Sequence, residues 1–393
     1  MQSRAVQRRI GACFAIATGA VLLVVTPGRS ASADTTVGAK APILMTDFTK
    51  DEGGWQAIGP TAKVTQTLDT TTGQGSLKLD YTIAKDALNA MILPVSGSTI
   101  SEAKSFRFSV KSDQATALIA VLQEKGGGRY NAIFSVPRDK WQDVALRLSD
   151  FTLAEGAGDP KDPDGKLDLD QIEGFGIADM GQFFATMDDA NLKTLFGIKP
   201  GPHSITISTF SVRGEPLNNT SFEGKVNPYL DTFLEPQVGW IGLGGVQMSV
   251  TSEKPLTNRG LKAVYYRVSG KFAGIIRPFN RGRLTGADKL TINVASVLPA
   301  TLLVQLEERG GGKYNATIAV DGRKTDSDPI VAKDYTLSFA DFKPADDSKD
   351  SNGKLDSDQV YQVLILDITG MVDSATTANT LWIGSLRTTS ATP

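Results

Sequence analysis

Two acid-rich stretches carry the hardest oxygen ligands in the chain. Asp162, Asp164, Asp168 and Asp170 fall close together, and Asp350, Asn352, Asp356 and Asp358 repeat the pattern. Carboxylates at this spacing suit a calcium loop. The helix–loop–helix version of that loop needs glycine at its sixth position. Placing Gly165 or Gly353 there puts Pro160 or Ser348 first and Gln171 or Gln359 twelfth. Both anchor positions then lack a carboxylate, so that template fails. A plainer reading makes Asp164-Gly165 and Asn352-Gly353 turns. Asp168 or Asp356 then caps a single helical turn, with a second acid near its positive end.

A second set of polar residues lies in two nearly identical nonapeptides, EKGGGRYNA from Glu124 and ERGGGKYNA from Glu308. Each reads as strand, glycine turn, strand, because glycine permits the positive φ of a tight hairpin. Side chains alternate across a strand, so Leu302, Val304 and Leu306 share one face of the later hairpin. Gln305, Glu307, Lys313, Asn315 and Thr317 gather on the other. Their donors and acceptors suit sugar hydroxyls, although a solvated sheet face looks the same. The earlier hairpin offers Gln123, Arg129 and Asn131 at these positions, beside Ile119, Val121 and Ile133. That face is too apolar to be left wet. An insertion near residues 180–202, rich in Phe and Leu, is expected to fold over it.

Catalysis finds little support. His203 is the only histidine, and it stands between Pro202 and Ser204. There is no Gly-x-Ser-x-Gly elbow and no phosphate loop. No two carboxylates are marked as a glycosidase pair. The expectation is a protein that is not an enzyme. A net charge of −2 with mixed signs argues against a nucleic-acid partner.

The N-terminus has the layout of a secretory signal peptide. Arg4, Arg8 and Arg9 precede an uncharged run from Ile10 to Val25, and Ala31-Ser32-Ala33 offers a cleavage site. Residues 1–33 are therefore expected to be removed and the protein secreted or periplasmic. Cleavage also removes Cys13, the only cysteine, leaving no disulfide. The apolar run is too short for a membrane span, and no other run of that length follows.

These residues must be held by a repeated scaffold. Phe48 and Trp55 match Phe233 and Trp240 at an offset of 185, and Leu77 and Tyr81 match Leu261 and Tyr265 at 184. DGKLDLDQI from Asp164 matches NGKLDSDQV from Asn352 at 188. A period this long means two whole domains. They are expected at 41–214 and 221–386, with a linker at 215–220 and a tail at 387–393. Strand alternation, as in SFRFSVKSD, and glycine turns give an all-β reading, with two tandem antiparallel sandwiches. Asp188–Phe196 is the best helix candidate. Trp55 and Trp240 read as buried core anchors.

The order of elements resembles the galactose-binding-like, jelly-roll β-sandwich domains. It is an opening Phe and Trp, alternating strands, a glycine hairpin ending in Tyr, KWQDVALRLSDF from Lys140 and then DPDGKLDLDQIEGFGI from Asp162. It is similar to family 11 carbohydrate-binding modules and to the complex I intermediate-associated type. The resemblance covers both halves. It implies a glycan or polysaccharide partner on an outer sheet face, no cofactor, and a structural calcium as an open possibility. The second copy departs from the pattern, because no tryptophan matches Trp141. Two function classes follow: a secreted, non-catalytic carbohydrate-binding protein, or an exported scaffold whose sandwiches contact proteins. Sugar sites commonly include an exposed aromatic ring, and the later hairpin has none on its polar face. On polarity alone, the second copy is still the expected binder.

Overall fold

A computed structural model of the chain describes residues 41–155, 159–186, 190–217, 228–280, 282–323, 325, 327–372 and 376–390. The leader, its cleavage point at Ala33 and residues 218–220 of the expected linker lie outside these. The chain divides into two compact units, one from each half save that Leu195–Gly197 groups with the second. Each is an antiparallel β-sandwich. No helix among the described residues is long and apolar enough to cross a membrane.

The first domain contains β1 (Leu44–Thr46), β2 (Gln56–Ile58), β3 (Lys63–Leu68), β4 (Gly75–Ile83), β5 (Ala90–Pro94) and β6 (Ser105–Ser112). It continues with β7 (Thr116–Glu124), β8 (Arg129–Val136), β9 (Gln142–Arg147), β10 (Thr152–Leu153), β11 (Ile172–Asp179) and β12 (Gly201–Arg213). One sheet runs β3-β4-β12-β6-β9, with β1 beside β12, and the other runs β10-β8-β7-β11-β5-β2.

The second domain contains β13 (Tyr229–Asp231), β14 (Ile241–Leu243), β15 (Gln247–Thr251), β16 (Gly260–Arg267), β17 (Ala273–Pro278) and β18 (Ala287–Ser296). After these come β19 (Ala300–Glu308), β20 (Lys313–Val320), β21 (Lys333–Ser338), β22 (Lys343–Pro344), β23 (Val360–Asp367) and β24 (Thr377–Ser390). Its sheets run β15-β16-β24-β18-β21, with β13 beside β24, and β22-β20-β19-β23-β17-β14. Strand for strand, this is the order of the first domain. The last strand runs to Ser390, past the expected end at 386, because Thr388 and Thr389 pair with Leu290 and Lys289.

The inward faces follow from the period of two. In β4, Leu77, Leu79, Tyr81 and Ile83 are buried while Ser76, Lys78, Asp80 and Thr82 between them are half-buried. Trp55 and Trp240 are both core residues, as expected. Trp55 meets Phe210 edge to face at 5.2 Å. Trp240 donates its Nε1–H to Asp231 Oδ2 at 2.8 Å. Phe48 and Phe233, the matched residues ahead of them, both have left-handed φ, at 56° and 53°. That conformation is costly for a bulky side chain, so its recurrence marks the same local backbone in both copies.

The insertion after β11 forms α1 (Gly181–Ala185) and α2 (Ala190–Leu195). The second falls within the predicted helix. Ala185 and Ile198 join the first domain's core, and Gln182 bonds to the backbone and side chain of Asn89.

Candidate functional site

The repeated nonapeptide and the acid-rich loop form one device in each domain. Glu124 Oε1 accepts a hydrogen bond from the Asp168 N–H at 2.6 Å, and Glu308 Oε1 accepts one from the Asp356 N–H. Tyr130 and Tyr314 donate their hydroxyls to Asp162 Oδ2 and Asp350 Oδ2. Each glutamate lies close against a glycine: a Cβ on Gly128 or Gly312 would stand 2.2 Å from the Glu124 or Glu308 Oε2, so the carboxylate would have to shift. The hairpin thus clamps the loop. Burial pushes the Glu308 carboxyl up to about 7, reinforced by Asp350, Asp356 and Asp358 and opposed by the Asp356 N–H.

The loop acids are engaged in shaping the turn. Asp164 Oδ1 accepts from Lys166 N–H, and Asn352 donates to Asp356 Oδ2. Asp168 stands at the N-cap of the turn Leu169–Gln171, but its side chain takes the Gln171 amide at 3.0 Å and caps no backbone N–H. Among the described residues, no group of three or more His, Cys, Asp or Glu is placed to hold a metal ion. The acids as they stand do not converge on a calcium.

The polar face of the later hairpin is not the open surface expected. Gln305 is 1% exposed and Glu307 2%, and Lys313 and Asn315 are buried with them. Gln305 donates to Asn315 Oδ1 at 2.8 Å. Glu307 accepts from Gln362 Nε2 at 2.6 Å, and Lys313 pairs with Asp347 at 2.7 Å. Burial raises the Glu307 carboxyl to about 7 despite the Lys313 charge. The Oε1 atoms of Gln305 and Glu307 are buried without hydrogen-bond partners. Thr317 stays exposed. In the first domain, Gln123 donates to the Gly128 carbonyl and Arg129 pairs with Asp159 at 3.0 Å, both buried. Asn131 is half-buried. The alternation placed these side chains on one face correctly. It could not show that strand β23 and the loop at Asp347 meet them.

A different surface has the makings of a binding site. It is the outer face of β3-β4-β12-β6-β9. Lys78 faces Thr206 across β4–β12, and Thr206 faces Lys111 across β12–β6. Beyond Lys111 lies Trp141, immediately before β9. Asp139 holds it there, with a left-handed φ of 56° and its N–H bonded to the Ser112 carbonyl at 2.8 Å. Trp141 is 48% exposed, and the Lys111 ammonium lies 5.2 Å from the centre of its ring. A cavity of about 340 Å³ opens here, lined also by Thr67, Ser76, Lys78, Asp113, Asp139, Ser204 and Thr206. Hydroxyls both donate and accept, and an indole face attracts the weakly positive C–H bonds of a sugar ring.

The second domain fills the same place with its own side chain. Lys262 faces Trp382 across β16–β24, where Lys78 faces Thr206. Trp382 is 6% exposed, clustered with Leu256, Ala295, Val297, Ile330 and Ala332. Ala332 precedes Lys333 as Trp141 precedes Gln142, and those partners pair with Val294 and Val110. Glu253 completes the plug, accepting from Trp382 Nε1 at 2.9 Å and pairing with Lys262 at 2.6 Å. On this sheet the open copy is therefore the first, whereas the expectation of the second copy as binder concerned the hairpin face of the other sheet. One signal was available in the sequence: Trp141 has no counterpart in the second copy.

No protein-family model and no curated protein matches the chain. Among solved structures, it is similar to a family 11 carbohydrate-binding module from Clostridium thermocellum in complex with a β-1,3-1,4-mixed-linked tetrasaccharide. The identity is 19%, over 44% of this chain and 96% of that one, with a TM-score of 0.33. It is also similar to the N-terminal CBM22-1-CBM22-2 tandem domain of Paenibacillus barcinonensis Xyn10C. That match has 12% identity, over 91% of this chain and 100% of that one, with a TM-score of 0.27. An exo-β-agarase matches at 11% identity over 43% of this chain and 25% of its own, with a TM-score of 0.30. Likenesses at this level say nothing about a site or a ligand.

Proposed function

We propose that the protein is a secreted, non-catalytic carbohydrate-binding protein whose ligand sits on the first domain's β3-β4-β12-β6-β9 face, against Trp141. The observation that carries this reading is the exposed indole set in a hydroxyl-lined cavity. A half-exposed tryptophan beside a cation gives up apolar hydration that a sugar face would relieve. Binding is weak, near millimolar, or about −4 kcal/mol, because each new hydrogen bond replaces one to water. The test is a glycan screen with the full chain, followed by Trp141→Ala on any glycan retained. The variant should keep its melting temperature and lose roughly threefold to tenfold in affinity, the loss of one stacking contact. A folded variant with unchanged affinity moves the site elsewhere.

A scaffold role is the second reading. Tyr266 is 67% exposed and Val264 40%, two residues apart on the outer face of β16. Exposed apolar pairs of this kind suit a protein contact. A full chain that binds no glycan and loses a co-purifying partner on Tyr266→Ser would favour it.

A further inference from the structure

We infer that the Trp141 face takes a sugar bearing an anionic group, either a uronate carboxylate or a sulfate ester, in preference to a neutral glycan. The inference rests on the carbohydrate reading above and deepens it.

The cavity lining holds two lysines and two aspartates, and they differ in how they are partnered. Asp113 accepts from the Ser204 N–H at 3.1 Å and faces His203 Nδ1 at 3.2 Å. Asp139 pairs with Arg138 at 3.0 Å. Both acids therefore already have partners in the chain. Lys78 holds Asp80 at 2.6 Å, with both side chains nearly half exposed. Lys111 has the Trp141 ring and, among the described residues, no carboxylate. An ammonium over an indole keeps its full charge, so it remains free to meet an anion.

The second domain shows what this surface accepts when it is full. There Lys262, the counterpart of Lys78, holds a carboxylate, and that carboxylate also takes the N–H of the buried ring, while Ala295 stands in the place of Lys111. A ring and a carboxylate occupy the place together. In the first domain the position of Glu253 falls to Asp69, whose carboxylate accepts from the Thr71 and Thr72 N–H groups. Asp69 is thus held in its own turn, and the ring position is the small Thr206. A ligand ring over Thr206 would take the place of the Trp382 indole, and because Lys78 already holds Asp80, an anion on that ligand would meet Lys111, which has no counterpart in the second domain.

The full chain can be run in native affinity gels containing polygalacturonate, a sulfated galactan or neutral mixed-linkage β-glucan. One of the polyanions should bind about fivefold more tightly than the neutral glucan, the size of one exposed ion pair. The preference should fade at about 0.5 M NaCl, where exposed charges are screened. Lys111→Gln should abolish the preference and Lys111→Arg should keep it. Which polyanion is retained tells carboxylate from sulfate. Equal retention of the neutral glucan, with Trp141→Ala still releasing it, overturns the anion and leaves the carbohydrate reading standing. Polyanion retention that Trp141→Ala does not change is charge attraction alone and overturns the inference. If Trp141→Ala alters retention in none of the gels, both fall.

Discussion

Thr206 and Trp382 occupy the same place in two copies of one sheet. Each faces a lysine across the same strand pairing, Lys78 in the first domain and Lys262 in the second. The small hydroxyl leaves a cavity, and the indole fills it. An indole from elsewhere in the chain, Trp141, stands at the rim of the copy that is open. The two sandwiches share one strand order, and these side chains make the difference between them at this face.

The polar hairpin face of the second domain should behave as structure. Gln305→Ala with Asn315→Ala removes a buried hydrogen bond and leaves a void. The pair should cost roughly 2–4 kcal/mol of stability. Chemical denaturation of the full chain measures this. A double variant as stable as the parent, with reduced glycan affinity, would return the ligand to that face.

Acidity should stabilise the second domain. The Glu308 carboxyl is raised from 4.5 to about 7 in the folded chain. The folded state then binds more protons than the unfolded one across that window. The stabilisation is full below pH 4.5 and is lost as pH rises through about 7. Glu307, raised in the same direction, adds to the slope. Melting curves from pH 5 to 8 should fall with pH. Glu308→Gln keeps an acceptor for the Asp356 N–H and should flatten the curve. A parent whose melting temperature rises over this range would show that burial does not set these carboxyls.

Much of the architecture was legible because sheets write a period of two. SFRFSVKSD became β6, and Tyr81 and Tyr265 landed on matching strands. The nonapeptide was read as a glycine hairpin, but its second purpose was not. Glu124 clamps a loop 44 residues away, and no local pattern records such a contact. Alternation also assigns a face without saying what lies over it. Gln305 and Glu307 looked wet because Gln362 and the Asp347 loop are remote in sequence. The exposure of Trp141 depends on the left-handed turn at Asp139 and its tie to β6, which is likewise nonlocal.

The two halves should fold alone. Each has its own core, one around Trp55 and Phe175 and one around Trp240 and Ile365. Residues 34–216 and 217–393, expressed separately, should each unfold in one cooperative transition. Two fragments without cooperative melting would mean that the repeat marks halves of a single folding unit.

The central claim is most directly tested by the fluorescence of Trp141. The other tryptophans, Trp55, Trp240 and Trp382, are buried, so a collisional quencher such as acrylamide reads Trp141 alone. Titrating the full chain with polygalacturonate, and in parallel with neutral mixed-linkage β-glucan, should protect the quenchable fraction and shift its emission to the blue with at least one of them. Trp141→Phe should show neither change. Binding that saturates by calorimetry while the quenchable fraction stays constant would contradict the account, because the ligand would then lie away from the Trp141 ring.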